Sequence, residues 1–264
     1  MELRGRVAVV TGAARGIGYA LAERFVAEGA AGVTVVDLNP ADCRAAAERL
    51  GPAALDIAAD VSDEGDLATV IERTEAEVGP IDLFASNAGI GVAQGIEAAD
   101  ETWDHLWHVN VMAHVKAARL LVPRMIERGG GYLLNTASAA GLLAQIGDAP
   151  YSVTKHGAVA LAEWLAITYG DQGIKVSCLC PQGVNTDMLT GGGSDELSLE
   201  TVRAQGVIEP EDVADAVIAG LADERFLILP HPEVTEYVQR KAADPDRWIA
   251  GMRKLQARIM GGLA

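Results

Sequence analysis

Strand-length apolar runs alternate along this chain with longer stretches in which apolar residues recur every three or four positions. The runs are "RVAVVTG", "GVTVVDLN", a weaker one within "AALDIAADVS", then "IDLFASNAG", "YLLNTAS", "KVSCLCP" and "FLILP". The helical stretches are "IGYALAERFVAEGA", "DEGDLATVIERTEAEVG", roughly Trp103 to Arg128, and Tyr151 to Tyr169. Gly29 is placed to stop the first helix and Gly129-Gly130-Gly131 to stop the long third one. Strand–helix alternation of this kind predicts an α/β fold with a doubly wound parallel sheet of about seven strands and helices on both faces. No repeat, low-complexity linker or domain boundary interrupts residues 1–264, so a single dinucleotide-binding and catalytic domain is expected. Two segments break the rhythm. Residues 188–206, "MLTGGGSDELSLETVRAQG", follow the carboxyl end of the sixth strand and read as a substrate lid. Residues 231–264 carry Trp248, Met252, Leu255 and Ile259 at helical spacing, a helical extension that packs on its own subunit or a neighbour.

Composition narrows the function. The formal charge of −16 argues against nucleic acid, which needs clustered Lys and Arg, and against an anionic membrane surface. No apolar run is long enough to span a bilayer, and the first residues lack a signal-peptide pattern, so a cytoplasmic location is expected. Cys43, Cys178 and Cys180 suggest buried thiols, not a disulfide framework. The histidines, His105, His108, His114, His156 and His231, show no metal-ligand spacing, and no metal is expected. The three on the long helix read as surface or interface residues. His231, between two prolines, reads as structural.

"TGAARGIG" directly follows the first strand and opens a helix. Gly12, Gly16 and Gly18 allow a sharp turn and a close approach to a pyrophosphate, with Ile17 between them and free N–H groups at the helix start. A glycine-rich turn alone also makes ordinary tight turns. Asp37 adds weight, since it ends the second strand about 20 residues on, where a carboxylate accepts ribose hydroxyls. It would repel a 2′-phosphate and Leu38 adds no positive charge, so NAD is expected over NADP. Arg15 is the dissenting residue.

"YSVTK" places Tyr151 and Lys155 on one helical face. With the preceding motifs, the chain closely resembles the single-domain branch of the short-chain dehydrogenases/reductases, over about Leu3 to Pro230. "TGAARGIG" matches the family's TGxxxGxG turn, Asp60-Val61 the pair flanking the adenine, and Asn87-Ala88-Gly89 the NAG motif. Asn110, Ser138, Tyr151 and Lys155 match the catalytic tetrad. "PQGVNT", with Pro181, Gly183, Val184 and Thr186, resembles the segment beside the nicotinamide. Gln182 and the tail after Pro230 depart from the pattern.

The resemblance implies alcohol–ketone interconversion with Tyr151 as acid/base. A base at neutral pH needs a pKa near 7, about three units below a free tyrosine, or ~4 kcal/mol. A positive charge ~4 Å away supplies about that at an effective dielectric of 20, and Lys155 is the candidate, helped by the cofactor's positive nicotinamide ring. Ser138 would hold the substrate oxygen, and Asn110 would hold a water linking Lys155 to solvent. Each residue has a plainer alternative, a surface pair for Tyr151–Lys155 and a turn residue for Ser138. The substrate lining is expected to include Ser138, Leu142, Leu143, Gln145, Gln182, Met188 and Leu189. Most are apolar, which suits an alicyclic, aromatic or steroid-like small molecule. A 3-oxoacyl-thioester reductase is the second reading, and a catalytically silent NAD-binding regulator comes from a different class. The family also implies a homo-oligomer, a tetramer or dimer.

Overall fold

The structure is a computed structural model that describes residues 1–190 and 206–263. Strands β1 (Val7–Thr11), β2 (Gly32–Asp37), β3 (Ala54–Ala58), β4 (Leu83–Ser86), β5 (Gly131–Thr136), β6 (Ile174–Leu179) and β9 (Leu227–Ile228) form one parallel sheet in the order β3-β2-β1-β4-β5-β6-β9. Two residues of β7 (Gly183–Val184) pair with β8 (Val207–Ile208) in a separate ribbon. β1 and β4 are buried at every position, which is why they are apolar up to their last residues, Thr11 and Ser86.

Helices cover both faces. α1 (Gly16–Ala27), α2 (Pro40–Leu50) and α8 (Pro210–Ala222) bury Leu21, Phe25, Ala46, Val213 and Val217 against one face. α3 (Glu64–Glu77), α5 (Ala113–Glu127) and α6 (Ala149–Tyr169) bury Leu67, Val70, Leu121, Ala158 and Leu165 against the other. Strand order reverses between β1 and β4, and in such sheets ligands bind outside the carboxyl ends of the strands at that point. The ends of β1, β4 and β5 therefore define where a site can be.

Three differences from the sequence pattern have physical causes. No element was expected over 40–50, yet α2 lies there. It buries only the small residues Cys43, Ala46 and Ala47, too faint a stripe to register, and rests on the Asn39 cap and Pro40 in its first turn. The long helix expected from Trp103 to Arg128 is instead α4 (Asp100–Trp107), a π turn (His108–Met112) and α5. The tail holds two helices, α9 (Glu233–Ala243) and α10 (Pro245–Leu263), parted at Asp244-Pro245 because a proline cannot continue the preceding helix ladder. Trp248, Met252, Leu255 and Ile259 lie on α10 and are partly buried, with Trp248 against Tyr237 of α9. Of the expected lid, Met188 and Leu189 fall on the short helix α7 (Asp187–Thr190), and residues 191–205 lie outside the described residues.

Among the described residues no helix is long and apolar enough to cross a membrane, and no His/Cys/Asp/Glu group could hold a metal. All three cysteines are free and buried.

Candidate active site

The turn after β1 is built on backbone that only glycine adopts easily. Gly12 and Gly16 have φ of +63° and +55°. A Cβ on Gly18 would sit 2.1 Å from the Gly12 carbonyl oxygen and 2.7 Å from Asn87 Nδ2. Thr11, which the sequence reading passed over, ties this turn to the end of β4. Its hydroxyl accepts the Asn87 and Ala88 amides at 2.9 and 3.0 Å. Asn87 Nδ2 returns a bond to Thr11 O at 3.0 Å. Asn87 thus braces the turn that a dinucleotide would approach.

Asp37 closes the outer side. Its carboxylate accepts Ala14 N at 3.1 Å and Leu38 N at 2.8 Å, so it faces the glycine turn from the end of β2. Leu38 is exposed, and Asp60 is exposed with its carboxylate accepting Ser62 N. Val61 is buried in the core instead of presenting its side chain outward. Arg15 points to solvent, 3.7 Å from Asp187. Thr186 lies over the turn, its Cγ2 3.2 Å from where a Cβ on Gly16 would be. The Pro181–Thr186 segment and the glycine turn therefore share one cleft.

The four tetrad positions meet at the rim of β4 and β5. Ser138 follows β5; its Oγ accepts Ala140 N at 3.1 Å and lies 3.4 Å from Pro181 O. Tyr151 and Lys155 sit one turn apart on α6, with Lys155 Nζ 5.6 Å from the Tyr151 ring centroid. Lys155 is buried and donates to Thr136 O at 3.1 Å. Gly89 fits between Lys155 and Asn110: a Cβ there would be 3.1 Å from Nζ and 3.2 Å from Asn110 Oδ1.

Asn110 sits in the π turn, where the helix steps out of its regular ladder. Its Oδ1 accepts Ile90 N and its Nδ2 donates to Ile90 O, both at 2.9 Å, with a further bond to Thr154 Oγ1 at 3.1 Å. These bonds use both Nδ2 hydrogens and one of the two Oδ1 lone pairs. The side chain anchors the strand-end loop to α6.

Asp148 does similar work and carried no sequence signal. It caps α6 through Tyr151 N at 3.0 Å and takes Val92 N and Ala93 N at 3.0 and 2.8 Å. The loop after β4 and the start of the Tyr151 helix are pinned by one buried carboxylate.

The electrostatics depart from expectation. Burial pushes the Tyr151 phenol up to about 12, with the Ser138 hydroxyl beside it acting in the lowering direction and Asp148 and Cys180 raising it further. Burial also brings the Lys155 ammonium down to about 8. At about 8 the ammonium is still mostly charged at neutral pH, while burial keeps the phenol protonated.

Of the expected substrate lining, Leu143 is buried and Leu142 partly so, both following the Ser138 turn. Gln145 turns its amide back onto Ile146 O, and Gln182 lies in the segment after β6. Met188 is exposed and Leu189 partly buried. His114, expected on a surface or at an interface, is buried against Asn135 and Lys155 and its imidazole is lowered to about 3 by that burial. His231, read as structural, is buried.

Residues 6–196 match the family model for short chain dehydrogenases. The chain belongs to the short-chain dehydrogenase family. It is 36% identical over 243 residues to a 1-deoxy-11-beta-hydroxypentalenate dehydrogenase of Streptomyces exfoliatus, covering 88% of this chain and 86% of that one. A short-chain dehydrogenase of Burkholderia phymatum, solved in complex with NAD, superposes with a TM-score of 0.85 at 27% identity, covering 93% and 96% of the two chains. The L-sorbose reductase of Gluconobacter frateurii, solved with NADPH and L-sorbose, has a TM-score of 0.78 at 30% identity over 87% and 97%. This short-chain dehydrogenase is therefore an oxidoreductase whose relatives act on hydroxyl groups.

Proposed function

We propose that this protein is an NAD-dependent dehydrogenase that interconverts a secondary alcohol and a ketone on an apolar cyclic, aromatic or steroid-like molecule. The observation that carries the reading is the meeting of the Tyr151 phenol and Ser138 hydroxyl, with Lys155 behind the ring, beside the glycine turn.

The residues present fit a dinucleotide. The turn from Gly12 to Gly18 leaves no room for a side chain at Gly12 or Gly18, and the N-terminus of the 12-residue α1 opens beyond it. The Asp37 carboxylate, held by Ala14 N and Leu38 N, keeps lone pairs for a ribose diol. A 2′-phosphate there would meet like charge, which favours NAD; Arg15, exposed and near Asp187, offers it weak compensation. NAD, when bound, supplies the two-electron acceptor and a positively charged ring.

Ser138 orients the substrate oxygen toward Tyr151, and Tyr151 takes or gives the proton at Oη. The two-unit rise of Tyr151 is worth about 3 kcal/mol. One unit charge at ~5 Å contributes a similar amount at an effective dielectric of 20. A single added cation near the phenol would therefore offset burial and return Tyr151 toward its ordinary value near 10. Lys155 keeps the phenolate paired once it forms.

Leu142 and Leu143 favour an apolar substrate body. A homo-oligomer is consistent with the exposed Trp164 and Ile167 on α6 and Trp107 on α4. The test is NAD-coupled absorbance with cyclic, aromatic and aliphatic secondary alcohols, with ketones and NADH in reverse. Tyr151→Phe should lose at least a hundredfold in kcat and still bind NAD. Acyl thioesters outperforming cyclic ketones would move the protein to the 3-oxoacyl-thioester reductases. Unchanged output in Tyr151→Phe would make it a regulator.

A further inference from the structure

The C-terminal extension reaches back to the candidate pocket at two places. Lys241, on α9, donates from Nζ to Leu142 O at 2.7 Å and to Leu143 O at 3.0 Å, across 99 and 98 residues of chain. His231, just before α9, accepts Gln182 N at Nδ1 and, as the neutral tautomer this requires, donates from Nε2 to Gly183 O, each at 3.1 Å. One extension therefore holds both loops that flank Ser138, the 142–143 stretch and the 182–183 stretch.

We propose that Lys241 is a positioning residue that sets the substrate wall at Leu142 and Leu143. The Leu142–Leu143 stretch has no strand or regular helix of its own; it follows the short turn Ala139–Gly141, which is pressed onto α6 so closely that a Cβ on Gly141 would lie 2.4 Å from Lys155 O. The turn is thus fixed at its start by α6 and at its end by Lys241. An ammonium is a strong donor to a carbonyl, and its double bond here fixes both the height and the direction of the wall. Among the described residues Lys241 makes no ion pair, so its charge is spent on these two carbonyls. Burial lowers its pKa, as it would for an ammonium drawn off the solvent surface.

This inference rests on the pocket lying at Ser138 and Tyr151, and its test separates the two. Steady-state kinetics with cyclohexanol or 1-phenylethanol would be measured on the full chain and on Lys241→Met, which keeps the stem without the donors, and Lys241→Arg, which restores them. Lys241→Met should raise KM for the alcohol about tenfold or more, as expected for losing charged hydrogen bonds, and leave KM for NAD within twofold. Lys241→Arg should recover most of the loss. Hydrogen exchange of the amides from Leu142 to Gln145 should speed up in Lys241→Met whether or not an alcohol is turned over. A variant that lowers only the melting temperature, with alcohol KM and exchange at 142–145 unchanged, overturns the proposal. Absent wild-type turnover with faster exchange in the variant would instead count against the substrate reading and keep the tie.

Discussion

His114 should make this fold sensitive to mild acid. It is 2% exposed, and burial and the Lys155 cation together disfavour its protonation, outweighing the Asn135 side chain beside it. Its pKa is about 3 in the fold against 6.5 free, so between those values the unfolded chain binds the proton and the folded one does not. Stability from this group is complete above pH 6.5 and is lost as pH falls toward 3. At pH 5.5 the unfolded imidazole is about ten-elevenths protonated. The loss relative to pH 7.5 is then about 1.4 kcal/mol, or roughly half a molar in urea midpoint for a slope of 2–3 kcal/mol/M. The chain stays above its pI of 4.6 at that pH and keeps negative charge. His114→Leu, apolar and of similar volume, removes the titration, while the carboxylates contribute equally to both proteins. Urea unfolding at pH 7.5 and 5.5 should therefore give a midpoint shift about 0.5 M smaller in the variant. Equal shifts in the two proteins would refute the buried neutral imidazole.

Other expectations follow from the same geometry. Gly18→Ala places a methyl against the Gly12 carbonyl and Asn87, so NAD affinity by isothermal titration should fall at least tenfold, with about 1–3 kcal/mol of lost stability. Asp37→Ala should raise KM for NAD about tenfold or more and narrow the preference over NADP, since it removes a charged acceptor. Asp148→Ala frees the amides of Tyr151, Val92 and Ala93; an N-cap loss of ~1 kcal/mol by thermal melting, with kcat falling more than NAD affinity, is expected. Multi-angle light scattering should report a dimer or tetramer at micromolar concentration, and a monomer would contradict the oligomer reading.

The sheet and the cleft were legible because their signals are local. Val7 to Val10 is an unbroken apolar run, and Gly12, Gly16 and Gly18 mark a turn within a few residues of it. What the sequence hid depends on partners far along the chain. Asp148 carried no signal in the sequence because Val92 and Ala93 are brought to it from more than 50 residues away. Lys241 reads as a surface lysine until the fold delivers Leu142 O and Leu143 O. His114 read as a surface or interface residue of the long helix, yet it is buried beside Asn135 of β5. The Tyr151–Lys155 spacing was legible and its electrostatic consequence was not, since burial depends on the whole assembly of loops around it.

The π turn at His108–Met112 also bears on how this helix tolerates changes in length. A π turn holds one residue more than the α turn it replaces, while the flanking α4 and α5 keep their own faces toward the core. Deleting one residue from the turn would let a regular ladder close across it without rotating Leu106 or Leu121 out of the interior. Such a shortened chain should fold with near-native helicity by circular dichroism. What it would lose is the outward step that lets Asn110 reach Ile90 and Thr154, so the helix carries a spare residue that the scaffold can do without and the cleft cannot.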